Sequence, residues 1–338
     1  MVTSVITEKV KKMFTKIQII SLLLILALSP ACNKNIQVTK TTKEPAFRVL
    51  GYLPASNNWL AGLEQIDQDK ITDLNLAFIH PDTTGQFEGN DDYSRIIEQA
   101  HGKNVRVFLS IGGGSPPAHL EGLLEPDHRT TLINSLVDLA VQYHFDGVDV
   151  DIENDLINIH YPSFVRELSS ALKQKNILMT AALASWNGNL IADSTLQLYD
   201  FINIMSYDKT GPWNLSRPGP HAPFSMVEQD FYYYNQTRKI PAQKLLIGLP
   251  FYGYGFGPGV PQSKSYKEIL NLYPGAENTD SVTVSEGGKV YYNGMATIRE
   301  KVMFAHRSRA GGVMIWQLLG DSQDSRSLLN VIQGAVSR

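Results

Sequence analysis

The chain has 338 residues, 43% hydrophobic and 19% charged, which is globular material for one large domain or two small ones. A formal net charge of -3, with no Lys/Arg run after the N-terminal region, argues against a nucleic-acid surface. One cysteine excludes an internal disulfide, and the eight histidines form no cluster with metal-ligand spacing, so no metal is expected.

Lys11, Lys12 and Lys16 precede the apolar run Ile19 to Leu28, which is too short to span a bilayer as a helix but suits a secretory signal. The run leads into Leu28-Ser29-Pro30-Ala31-Cys32, which resembles a bacterial lipoprotein signal, although Leu28 stands four places before Cys32 where such signals usually carry Leu at three. Residues 1–32 are therefore expected to be a signal peptide. A lipid on Cys32 would anchor an exported protein at the cell envelope. Ordinary cleavage near Ala31 would instead leave it periplasmic or secreted. Residues 33–46, polar and without apolar period, read as a flexible tether, and 47–338 as one folded domain.

From Phe47 onward, short apolar runs alternate with helical patterns, the signature of parallel strands with crossover helices. Eight strands are predicted to begin near Phe47, Ile71, Val105, Phe145, Ile177, Phe201, Lys244 and Gly311. The clearest helix runs from Asp127, placed to cap it, to Tyr143, with Ile133, Leu136 and Ala140 on one face. Tyr161 to Lys173, Phe224 to Arg238 and Ser322 to Val336 follow the same period more weakly. This count predicts an α/β fold, a closed (β/α)₈ TIM barrel, with an open doubly wound sheet as the alternative. Within Phe256 to Arg309, Val282-Thr283-Val284 and Val290-Tyr291-Tyr292 look like a hairpin, a small insertion between strands 7 and 8.

The sharpest feature is the run Asp146 to Glu153. Side chains alternate along a strand, so Asp149, Asp151 and Glu153 share one face while Val148, Val150 and Ile152 share the other. Packing the apolar face on helices forces three carboxylates into the lumen, where like charges about 4 Å apart repel by on the order of 4 kcal/mol at an effective dielectric of 20. One of them should hold its proton to unusually high pH. Glu153, last in the row, would reach the C-terminal rim as a general acid. An acidic strand turned to water and a divalent-cation site are the other readings of the same row. Gly253, Gly255, Gly257 and Gly259 are interrupted by Pro258 and Pro261, and Gly112 to Gly114 lack a following Gly-Lys, so no nucleotide cofactor is expected.

Asp146-Gly147-Val148-Asp149-Val150-Asp151-Ile152-Glu153 resembles the catalytic signature of glycoside hydrolase family 18. That family includes chitinases, endo-β-N-acetylglucosaminidases and inactive chitinase-like lectins. Ser110-Ile111-Gly112-Gly113, Met205-Ser206-Tyr207-Asp208 and Trp316 match further motifs in the right order, so the resemblance covers Phe47 to the C-terminus. Ile152 stands where many members have Trp, Asn154 replaces an aromatic, and Phe251-Tyr252-Gly253-Tyr254 lacks an Arg often found there. The resemblance implies a retaining enzyme that cleaves β-1,4-linked N-acetylglucosamine, the substrate's acetamido group serving as nucleophile. It assigns Glu153 as acid, Asp151 and Tyr207 to the acetamide, and Asp149 to the charge on Asp151. Asp208 and Met205 would contact the same sugar, and Trp316 would stack beneath it. Asp146 is expected to be structural, and Tyr52, Trp59 and Trp186 are candidate platforms for outer sugars. The implied partner is an oligo- or polysaccharide containing N-acetylglucosamine, chitin ahead of N-glycans.

Overall fold

The computed structural model describes residues 47–54 and 58–336; the signal-like segment, Cys32 and the tether lie outside the described residues. Seven strands come first: β1 (Arg48–Pro54), β2 (Asp73–Ala77), β3 (Arg106–Gly112), β4 (Gly147–Asp151), β5 (Leu178–Leu183), β6 (Phe201–Ile204) and β7 (Leu245–Pro250). The chain then leaves for β8 (Tyr252–Phe256), β9 (Ser263–Ser265), β10 (Ser281–Thr283) and β11 (Lys289–Tyr291), and returns as β12 (Gly312–Trp316). The parallel strands close in the order β1-β12-β7-β6-β5-β4-β3-β2, which settles for a barrel against the open sheet. All eight begin within two residues of the predicted starts.

Two apolar regions follow from the alternation of side chains. Outward residues such as Val148, Val150 and Ile152 are fully buried with helix residues such as Leu136, Phe164 and Leu168. Inward residues, among them Leu50, Tyr52, Phe108, Phe201 and Met314, fill the lumen. The barrel is thus a packed core on both sides of its wall. Among the described residues no helix is long and apolar enough to cross a membrane.

Several helix ends differ from expectation for identifiable reasons. Pro126, not Asp127, opens the helix Pro126–Tyr143, with Glu125 at the cap; a proline at the first position loses no intrahelical bond there, and Asp127 sits in the first turn. Tyr161–Lys173 is helical as predicted. The helix Phe224–Tyr232 widens into a π turn over Tyr233–Thr237 rather than continuing regularly to Arg238. The last helix starts at Leu328, not Ser322, because the buried Asp321 carboxylate accepts from the Ser322, Leu328 and Leu329 amides and the Ser327 hydroxyl.

The insertion is larger than the predicted hairpin. β10 and β11 do pair antiparallel, but β8 and β9 extend them to a four-stranded sheet in the order β10-β11-β8-β9. It begins at Tyr252, since the Tyr-Gly-Tyr-Gly-Phe run that resembles a glycine loop carries enough aromatic residues to pair as a strand.

Candidate active site

The row of acids lies where alternation put it. Asp149 is fully buried in the lumen and Asp151 is almost so, while the strand ends at Asp151 and Glu153 follows in extended conformation (φ -120°, ψ 164°), reaching the rim half-buried. Asn154 then turns the chain away with φ 51°, a left-handed conformation that asparagine tolerates better than most residues. The row is held close to β3 by glycine. At Gly112 (φ 102°) a Cβ would meet the Asp151 carbonyl oxygen at 2.1 Å, and at Gly113 (φ 83°) it would meet the Phe78 ring at 2.3 Å. Asp146 is not part of the site: it accepts from the Val107 amide and the His101 ring, each at 2.7 Å.

The three carboxyls have different surroundings. Asp149 accepts from four donors: the Tyr52 hydroxyl (2.7 Å), Ser110 Oγ (2.8 Å), Thr180 Oγ1 (2.6 Å) and Asn203 Nδ2 (3.2 Å). Burial pushes its titration up and those donors pull it back. Asp151 has fewer. Its Oδ1 finds no hydrogen-bond partner among the described residues, and its other contact is with the Glu153 carboxyl. Burial first, then the charges of Glu153 and Asp149, hold Asp151 well above the ordinary carboxylate range. Burial, with Asp208 adding its charge, lifts Glu153 to about 7. Among the described residues neither has a Lys or Arg to balance it, so Asp151 and Glu153 keep a proton between them at neutral pH.

A cavity of about 210 Å³ opens above this pair, lined by Asp151, Glu153, Tyr207, Asp208, Met205 and Trp316, with Phe78, Gly114 and Trp186 at its sides. Of the predicted site residues, Asp149, Tyr52 and Trp59 do not reach it. Asp149 lies in the lumen beneath the pair, off the cavity lining. Tyr52 is a correction: it is buried in the lumen with its hydroxyl on Asp149, and its ring lies 5.4 Å from that of Trp316, so it supports the floor instead of offering a face to sugar. Trp59 is likewise buried, packed edge-on to Tyr93, whereas Trp186 is exposed at the rim. Trp316 is also stacked on Phe78 at 5.7 Å, which leaves it as the rigid floor.

Some residues were missed. Thr180 and Asn203 sit opposite Asp149 in the lumen, and a lone polar residue inside an apolar strand is the signal that marks them. Asp208 (φ 62°) is gripped by the Tyr252 hydroxyl at 2.5 Å and lies 3.3 Å from Nδ1 of the buried His221. His221 comes from a loop without period, so nothing in the sequence announces it. Among the described residues, no group of three or more His, Cys, Asp or Glu is arranged to hold a metal ion.

The profile of glycosyl hydrolases family 18 matches residues 48–321, the span of the barrel. The chain belongs to that family. A solved structure of the family 18 chitinase ChiB from the chitin utilization locus of Flavobacterium johnsoniae is similar at 32% identity, with a TM-score of 0.78 over 86% of this chain and 93% of that one. A chitinase from Bacteroides thetaiotaomicron is similar at 29% identity and a TM-score of 0.75, over 86% and 96% of the two chains. The human chitinase-3-like protein 2 is 27% identical over 66% of this chain and 71% of its own length. Family 18 membership makes the barrel a glycoside-hydrolase scaffold whose rim carries the acid row.

Proposed function

We propose that this family 18 barrel is a retaining glycosidase that cleaves β-1,4-linked N-acetylglucosamine in chitin or chitooligosaccharides, with the sugar's own acetamido group as nucleophile. One observation carries the reading: Glu153, held near 7, shares a cavity with a second under-bonded carboxyl and with the Tyr207 hydroxyl. Glu153 would give its proton to the bridging oxygen as the C1–O bond breaks, while the acetamido oxygen closes on C1 to form an oxazolinium ion. Asp151 would accept the acetamide N–H and Tyr207 would donate to its oxygen, which orients the nucleophile and spreads the new positive charge. Asp149, engaged by neutral donors, would lie beneath Asp151 and oppose its ionisation until the acetamide arrives. Water, deprotonated by the Glu153 carboxylate, would then open the ring with net retention. Similarity to a chitinase from a chitin utilization locus supports chitin as the substrate.

Incubation with chitooligosaccharides beside a high-mannose glycoprotein tests this. Shortened oligosaccharides with the β-anomer formed first are expected, and a thiazoline analogue of the intermediate should inhibit. Release of a glycan that leaves one sugar on the protein would make the chain an endo-β-N-acetylglucosaminidase instead. Binding without turnover would make it a lectin. We also propose that residues 1–32 direct export and lipid attachment at Cys32; loss of palmitate labelling in Cys32→Ala is the expected result.

A further inference from the structure

One buried carboxyl outside the cavity is tied to two of its walls from behind. Asp230 lies on the helix Phe224–Tyr232 and is 4% exposed. Its Oδ1 accepts from Ser185 Oγ at 2.5 Å, and Ser185 immediately precedes Trp186, which lines the cavity. The Ser206 hydroxyl bears on the same carboxyl. Ser206 stands between Met205 and Tyr207, both of which line the cavity, while its own side chain is buried behind that lining.

A carboxyl in that place is costly. Burial pushes its titration up, and the Ser185 and Ser206 hydroxyls, with the charges of Lys301 and Lys209, pull it only part of the way back. Among the described residues neither Ser206 Oγ nor Asp230 Oδ2 completes a well-aligned hydrogen bond. A small rotation of the hydroxyl toward Oδ2 satisfies both, so the two have reason to stay in contact. The Trp186 side has further anchors from the same helix end: the Tyr234 hydroxyl donates to the Ala184 carbonyl at 2.8 Å, and Arg238 donates to the Gly188 and Ile191 carbonyls. Of these three groups, Asp230 is the one that also reaches the Tyr207 side. Two segments that share an anchor keep a fixed spacing, which is what the cost obtains.

We propose that Asp230 is a positioning residue for the glycosidase reaction, fixing the Tyr207 hydroxyl through Ser206 and, jointly with Tyr234 and Arg238, the Trp186 wall through Ser185. The proposal rests on the chitin-cleaving function above and extends it to a residue that touches no substrate. Without the anchor, the turn that carries Ser206 is free to shift. The Tyr207 hydroxyl then holds the acetamide oxygen less often in line for attack on C1, and orientation of that kind is a large part of what a reacting pair needs.

Two constants measured on the full chain test this: kcat for chitooligosaccharides per folded molecule, and the inhibition constant of a thiazoline analogue, which reads the Tyr207 contact whatever fraction of the protein folds. Asp230→Ala should lower kcat by ~10-fold or more and weaken the thiazoline by a similar factor. Asp230→Asn, which keeps an acceptor for one serine and offers a donor to the other, should stay within ~3-fold of the parent in both. Ser206→Ala should reproduce most of the thiazoline loss, and it covers the case in which Asp230→Ala does not fold. Ser185→Ala, on the side with other anchors, should move either constant by less than ~3-fold. A purely structural Asp230 would lower the melting temperature and leave both constants alone. Parent values of both constants in Ser206→Ala and in folded Asp230→Ala would therefore overturn the proposal and leave the function standing. A parent chain that cleaves no chitooligosaccharide would bring down both.

Discussion

The two ends of the barrel solve the same electrostatic problem differently. At the N-terminal end, Asp73 is fully buried and receives Arg106 through Nε (2.8 Å) and Nη2 (2.5 Å), Arg48 at 3.4 Å and the Thr72 hydroxyl at 2.6 Å. Register explains the cluster: Asp73 lies opposite Arg106 on β3, and Arg48 opens β1 next door. At the C-terminal end, Asp151 and Glu153 have no guanidinium among the described residues and keep a proton instead. A carboxylate neutralised by arginine is a fixed brace with nothing to give away. One neutralised by a proton is less stable as packing but has a proton to donate, which is why the proposed acid belongs at the end without the arginines.

The largest expected effects separate these ends by opposite signs. Arg106→Met should destabilise the fold by ~3–5 kcal/mol in urea or thermal unfolding, because it strips partners from a buried carboxylate. Turnover per folded molecule should change little. Glu153→Gln should lower kcat by ~10²–10⁴-fold while sparing oligosaccharide binding; an undiminished rate would move the acid elsewhere. The same variant should be more stable than the parent at pH 8. The folded protein keeps the Glu153 proton to about pH 7, whereas an unfolded chain releases it near 4.5, so this group's contribution to stability declines as pH rises through that window. Gln escapes the decline, worth ~1–3 kcal/mol at pH 8 and vanishing at pH 4. Equal melting temperatures for the two proteins at pH 8 would mean that Glu153 is solvated in the folded state.

Much of this was readable before any coordinates, and for one reason. A strand has period two, so Asp149, Asp151 and Glu153 had to fall together once Val148, Val150 and Ile152 were placed on the helices. The eight strand starts followed from the same local rule. What stayed hidden depends on depth or on partners distant in sequence. An aromatic on the first strand does not declare whether it faces sugar or a buried aspartate, and Tyr52 meets Asp149, 97 positions away. The break between β7, which ends at Pro250, and β8 at Tyr252 is likewise silent in the sequence, since Tyr252 to Phe256 has strand-forming aromatics at the spacing of a glycine loop.

The finest test of the contrast is Asp208→Asn. Asp208 is one-third exposed and adds its charge to the causes that raise Glu153. With that charge removed, ionised Glu153 is less disfavoured, so the acid should release its proton at lower pH. The alkaline limb of kcat/KM, which reports the free protein, should therefore move down from near 7 by on the order of half a pH unit. Weaker sugar contacts in the variant would lower the height of the profile without moving its limb, so the two roles of Asp208 separate in one experiment. Salt should shrink the shift, since the residue is within reach of solvent ions. A limb that stays in place would assign the raised acid to burial alone, and with it would go the idea that the rim carboxylate tunes the proton at the mouth of the barrel.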